Sequence, residues 1–152
     1  VNSSEIEHRN QVLRAYFEGR NWDSNGEYAL KRKLVLNSHQ LLPHYAYIIE
    51  DEWEVEPGRA DKGRGDLVFT DGRGHFAVVE VKWIDTQGSD RVGVTRRGSN
   101  RKKRRKVEKQ AGDYAEIFSR KYDCIDHIEA YTFTNDQDYP QSLQSIETPL
   151  SL

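Results

Sequence analysis

One segment constrains the fold of this chain more than any other. Phe76-Ala-Val-Val-Glu-Val-Lys-Trp83 is apolar at almost every position, yet it carries Glu80 and Lys82 within it. A short run of aliphatic, β-branched and aromatic residues bounded by turn residues reads as a strand, and one that is apolar on both faces reads as a strand covered on both sides. Side chains alternate along a strand, so Glu80 and Lys82 project from one face while Val79, Val81 and Trp83 project from the other. Burying either charge costs several kcal/mol unless the group is paired or holds a cation. The two charges therefore need partners, and the rest of the fold must supply them.

The nearest partner is local. Asp71-Gly72-Arg73-Gly74 is a turn that joins this strand to residues 66–70 (D-L-V-F-T), forming a hairpin that carries the Asp66 carboxylate toward Glu80. Upstream, Ser4-x-x-Glu7 has capping-box spacing, and Ile6, Leu13 and Phe17 follow at helical intervals, which predicts a helix over 4–18. Ser24-x-x-Glu27 repeats the signal, and Leu30, Leu34, Leu41 and Leu42 extend a second helix to Pro43. Residues 45–55 place aromatic and β-branched side chains among acids, as a strand does, and Gly58, Gly63 and Gly65 mark a connection. Downstream the pattern predicts a polar loop over 85–100, then a helix over 101–121 with Val107, Ala111, Tyr114 and Phe118 on one face. A strand over 125–134 and a Ser/Gln-rich tail or edge extension over 140–152 complete the chain. A helix between the third and fourth strands permits a crossover. The expected class is therefore α/β, a mixed central sheet flanked by helices, in one domain of 152 residues with its core at about 24–134.

Composition excludes several classes. No apolar stretch approaches the roughly 18–20 residues of a membrane span. Cys124 is the single cysteine, so no intramolecular disulfide can form, and a reducing intracellular compartment is expected. The chain contains no methionine and starts at Val1-Asn2, which reads as a piece of a longer protein. The five histidines show no H-x-x-x-H spacing and no cysteine partners, so no zinc signature is present. Arg64-Gly65-Asp66 spells an adhesion tripeptide, but Asp66 starts a strand in a chain without a disulfide framework.

The net charge of −2 conceals a strong asymmetry. Between Arg96 and Lys109 stand nine basic residues and one acid, Glu108, about +8, which leaves about −10 on the remainder. Glu50, Asp51, Glu52, Glu54 and Glu56 hold much of that acid. A basic block on an acidic body points to a surface for a polyanion beside a site that holds cations, and the plainer alternative is a solvated helix end. Arg96, Arg97, Arg101, Lys102, Lys103, Arg104, Arg105 and Lys106 are the candidate phosphate contacts. The same run has the composition of a nuclear import signal, so a nuclear location is the expectation for a eukaryotic chain.

Asp66 followed after 13 residues by Glu80-Val81-Lys82, within this order of elements, resembles the PD-(D/E)xK nuclease superfamily. Gly65 stands where the motif has proline. The resemblance implies a restriction-endonuclease-like core of helix, three strands, helix and strand, here with an extra N-terminal helix. It implies a Mg²⁺ ion, with Mn²⁺ able to substitute, held by Asp66, Glu80, the main-chain carbonyl of Val81 and Glu27, and it gives Lys82 the role of positioning or activating a water. Gln110-Ala111-Gly112-Asp113-Tyr114 resembles the Q-x-x-x-Y signature of the RecB-like and lambda-exonuclease-like branch, which would turn Gln110 and Tyr114 toward the site. The implied activity is metal-dependent hydrolysis of phosphodiester bonds in nucleic acid, with DNA the expected substrate. A nucleic-acid-binding module that keeps the fold without cutting is the alternative. From the residues alone, a Glu80–Lys82 ion pair, a capping-box role for Glu27 and a core role for Tyr114 are the structural alternatives. The oligomeric state is open, and a dimer is compatible.

Overall fold

The computed structural model describes residues 2–19, 26–54, 64–84, 93–120 and 125–147. Ser24, Gly58, Gly63, Cys124 and the side chains of Arg96 and Arg97 lie outside that description. Among the described residues four helices and five strands follow in order. These are α1 (Ser3–Glu18), α2 (Gly26–Leu36), α3 (Ser38–Leu41), β1 (Tyr47–Glu54), β2 (Arg64–Thr70), β3 (His75–Lys82), α4 (Gly93–Ser119), β4 (His127–Thr134) and β5 (Gln141–Glu147). The strands form one mixed sheet in the order β1-β2-β3-β4-β5. Antiparallel pairing joins β1 to β2, β2 to β3 and β4 to β5, while β3 and β4 run parallel with α4 as the crossover. Among the described residues no helix is long and apolar enough to cross a membrane.

The continuous apolar run of β3 has the predicted cause, because both faces of the sheet are covered. Val78 and Phe76 pack with Trp53, Val68 and Ile128 against Ala111, Ala115 and Phe118 of α4. On the opposite face Val79, Val81 and Ala77 pack with Leu67 and Phe133 against Leu30, Leu34 and Val35 of α2 and Phe17 of α1.

Several boundaries differ from the sequence expectation; β2, for example, starts at Arg64, two residues before Asp66. Helix α1 is capped by Asn2, whose side chain accepts from the Glu5 N–H at 2.9 Å, so Ser4 is already inside the helix. The second helix stops at Leu36 and does not run to Leu42. The Asn37 side chain donates to the Lys33 carbonyl at 2.8 Å, and Arg14 donates to the carbonyl of Val35 at 2.6 Å and to that of Ala46 at 3.1 Å, which satisfies the helix end and starts the separate turn α3. Helix α4 begins at Gly93, inside the segment expected to be loop, because its Arg and Lys residues are good helix formers whose sum offsets Gly98. The segment after Pro140 is strand β5 at an edge of the sheet, paired with β4.

Gly65 has a local explanation. It pairs with Trp53 across β1 and β2, and a Cβ placed on it would overlap the buried Trp53 indole. Any side chain here, the ring of a proline included, would have to displace that indole.

Candidate functional site

The N-terminal end of β2 and the C-terminal end of β3 meet at Asp66 and Glu80. The hairpin register, continued from Leu67 opposite Val79, places Asp66 opposite Glu80. Each carboxylate is held by the other strand's backbone. The Asp66 N–H donates to Glu80 Oε2 at 2.8 Å, and the Val81 N–H donates to Asp66 Oδ2 at 2.8 Å. Glu80 is 3% exposed. Burial, and then the charge of Asp66, push its carboxyl well above the usual glutamate range, against the Asp66 N–H and the more distant charge of Lys31. Burial also raises Asp66, opposed by Lys31 and by the Val81 N–H, with Glu27 adding further upward pressure. Two acids are thus held together at an electrostatic cost.

Lys82 extends from the same strand end. Its ammonium lies 3.2 Å from Glu27 Oε1 on the first turn of α2, and both side chains remain well exposed. Among the described residues no Glu80–Lys82 ion pair is present; the two charges of β3 find different partners. Glu27 therefore sits beside Lys82 at the site. The start of α2 is fixed there by close packing, since a Cβ on Gly26 would lie 2.5 Å from the Trp83 ring.

The residue that the sequence reading missed is Lys31, one turn after Glu27 on α2. Its side chain is 4% exposed, and its ammonium lies 3.1 Å from Asp51 Oδ1, 3.4 Å from Asp66 Oδ1 and 3.9 Å from Glu52 Oε1. The ammonium also lies 5.2 Å from the centre of the Tyr28 ring. Burial opposes the charge, but Asp66, Asp51 and Glu52 together outweigh it and hold the pKa above that of an ordinary lysine. Glu52 reaches this cluster through a left-handed backbone, φ 51°, which costs a non-glycine residue about 1–2 kcal/mol. The Tyr28 hydroxyl donates to Glu52 Oε1 at 2.8 Å and fixes it in place. The signal in the sequence was the Glu27, Lys31 spacing on one helix face, opposite the acids of β1.

Tyr114 and Gln110 both lie on α4. The Tyr114 ring packs edge-on against Trp53 at 5.8 Å, so it belongs in part to the core. Its hydroxyl is raised by burial and then by the charges of Glu80 and Asp66, which places it within their electrostatic reach. Gln110 is half-buried one turn earlier. Tyr114 thus has its ring in the core and its hydroxyl within the electrostatic reach of the acids.

The basic run reaches the same end of the sheet. Asn135 clasps Ile84 through two hydrogen bonds, its side chain accepting from the Ile84 N–H at 2.6 Å and donating to the Ile84 carbonyl at 2.8 Å. The next residue, Asp136, forms an ion pair with Arg104 and accepts from the Thr134 hydroxyl. One turn therefore anchors both the strand end that carries Lys82 and the basic turn of α4. Arg101, Lys102, Arg105 and Lys106 are exposed, Lys103 is half-buried, and Arg104 is committed to Asp136.

Asp66 and Glu80 present oxygen donors suited to a hard divalent cation, and the mutual pressure on their ionisation is what such a cation would relieve. Among the described residues no group of three or more His, Cys, Asp or Glu side chains is already arranged to hold a metal ion. No protein family, curated protein or solved structure matches the chain.

Proposed function

We propose that the chain is a metal-dependent phosphodiesterase acting on nucleic acid, with DNA the expected substrate, and that its core is of the restriction-endonuclease type. The observation that supports this reading best is the Asp66–Glu80 pair. Two carboxylates are held side by side by each other's backbone N–H groups, one of them buried, beside a lysine and an exposed basic helix face. A Mg²⁺ ion held by Asp66 and Glu80, with the main-chain carbonyl of Val81 and with Glu27 directly or through water, would supply charge stabilisation for the phosphate and a more acidic water. Lys82, oriented by Glu27, donates hydrogen bonds to the attacking water and to the oxygens of the phosphate. Tyr114 presents its hydroxyl toward the acids and helps to hold the substrate or the lysine, with Gln110 beside it. Arg101, Lys102, Arg105 and Lys106 bind the phosphate backbone, while Arg104 keeps their helix in register with the site. Incubation with labelled single-stranded, duplex, flap and junction DNA in Mg²⁺ tests the activity, and inertness toward every one of these would overturn it.

Two predictions belong to this reading. If the exposed basic side chains displace counterions, binding to duplex DNA weakens with salt at a log–log slope of about −0.9 per contact. Neutralising Arg101, Lys102, Arg105 and Lys106 together should flatten the slope by up to about 3.6, whereas Arg104→Gln should flatten it little and lower Tm instead. Filter binding over a salt series measures both, and an unchanged slope would return the run to a solvated helix face. Tyr114→Phe should lower the cleavage rate about tenfold, or about 1.4 kcal/mol in barrier, with Tm held, because the ring contact with Trp53 survives. Unchanged kinetics would make Tyr114 a core residue only.

A further inference from the structure

A second cluster of titratable side chains lies at the other end of the sheet. His44, Tyr45, Asp71, His75, His127 and Glu129 line a pocket of about 400 Å³. His75 precedes Glu80 by five residues on β3, about 17 Å at the strand rise of roughly 3.3 Å per residue, so the cluster is separate from the site proposed above and does not depend on that reading. The parallel register pairs His75 directly with His127, and their ring centres are 5.7 Å apart with the planes inclined at 55°.

Each imidazole is backed by an anchored carboxylate. His75 Nδ1 lies 2.7 Å from Asp71 Oδ2, while Asp71 Oδ1 accepts the N–H groups of Arg73 and His75 at 2.6 and 3.1 Å. His127 Nε2 lies 3.7 Å from Glu129 Oε1. Glu129 is held in turn by the hydroxyls of Tyr45, Tyr131 and Ser142 at 2.5, 3.0 and 3.3 Å. Each carboxylate is therefore already engaged by three protein groups at hydrogen-bond distance. Among the described residues, His75 Nε2, both nitrogens of His127 and the His44 ring make no hydrogen bond.

We propose that His75 and His127 form a two-imidazole site for a transition-metal dication of the Zn²⁺ class. Imidazole suits Zn²⁺, Ni²⁺ and Cu²⁺ and not the hard ion Mg²⁺. Zn–N bonds of about 2.0–2.1 Å, with about 1.1 Å from ring atom to ring centre, put two imidazoles on one tetrahedral ion about 5 Å apart centre to centre. The observed centre-to-centre distance of 5.7 Å is within about 1 Å of that value. A carboxylate on the far ring nitrogen is the arrangement that orients metal-binding histidines; Asp71 takes that place on His75 at hydrogen-bond distance, while Glu129 stands 3.7 Å from His127 Nε2. The two acids also disfavour an anion in the same place. Two protein ligands leave positions open to water or to an external group, and His44 lines the same pocket.

Calorimetric titration of the untagged, EDTA-stripped chain with Zn²⁺ tests the proposal. One saturable equivalent is expected, persisting in excess Mg²⁺. His75→Gln and His127→Gln should each weaken it at least about tenfold, Asp71→Asn should weaken it about tenfold, and Asp66→Asn should leave it unchanged. Absence of saturable binding, or equal affinity in the double variant His75→Gln/His127→Gln, would overturn the site. Should the double variant melt at a lower temperature without metal, the imidazole resonances of the wild-type chain decide. Zn²⁺ must shift those of His75 and His127, and their failure to move refutes the proposal.

Discussion

Glu80→Gln is expected to stabilise the fold while abolishing cleavage. A glutamine oxygen can still accept the Asp66 N–H at 2.8 Å, so the hydrogen bond survives, and what disappears is a buried carboxylate facing another. The direction with pH follows from the raised ionisation of Glu80. A carboxyl whose pKa lies above its unfolded value of about 4.3 contributes stability that is fully present below that value and lost as pH rises through the folded pKa. Wild-type stability should therefore decline with rising pH across that window, and Glu80→Gln should remove the decline. At pH 7 a gain of about 1 kcal/mol raises Tm by about 2–4 °C in a chain of this size. Below pH 4 the two proteins should converge. The cleavage rate should fall at least about a thousandfold, about 4 kcal/mol in barrier. A Tm several degrees below wild type would instead make Glu80 a structural residue. Thermal melts from pH 3 to 8 beside a cleavage assay separate these outcomes.

Lys31→Met carries the opposite sign. The methionine fills much of the same volume but leaves Asp51 and Asp66 without the ammonium that now lies 3.1 and 3.4 Å away. Removing one partner of a buried ion pair costs about 3–5 kcal/mol because the other charge is left uncompensated. Asp66 is a quarter exposed and both acids can take up protons, so the lower end, about 3 kcal/mol, applies at pH 7. Tm should drop by about 6–12 °C. Both carboxyls are already raised by burial, and loss of Lys31 raises them further. The deficit should therefore shrink as pH falls and the acids protonate. A variant as stable as wild type at pH 7 would show that Lys31 is not the counter-charge. Under the proposed reading, Mg²⁺ should recover more stability in Lys31→Met than in the wild type, because a cation then enters an acid cluster with no resident ammonium.

The contrast between Glu80 and Lys31 shows what was legible in the sequence. Glu80 and Lys82 stand out because a charge within an apolar strand violates the local pattern, and Asp66 follows from a hairpin turn only four residues long. The mixed sheet is equally legible, since β3 is apolar on both faces and a helix separates it from β4. Lys31 violates nothing locally. It lies in a Lys-Arg-Lys run on an amphipathic helix, where lysine ordinarily faces water, and its burial is decided by acids on β1 that are distant in sequence. His75 and His127 are 52 residues apart and meet only through the parallel register. Strand β5 resembles a tail or edge extension in the sequence because its Q-S-L-Q-S-I-E pattern is polar on most positions, as an edge strand that needs little burial can be. The early start of α4 is hard to read because glycine and serine near its beginning resemble loop residues, while the arginines and lysines among and after them favour helix.

The proposed activity stands or falls on one comparison. Labelled duplex, flap and junction DNA should be incubated with the wild-type chain and with Asp66→Asn, each in Mg²⁺ and in EDTA, with binding followed in parallel. Cleavage is expected only for the wild type in Mg²⁺, while Asp66→Asn binds the same DNA without cutting it. Cutting that persists undiminished in EDTA, or in Asp66→Asn, would contradict the roles given to Asp66 and Glu80.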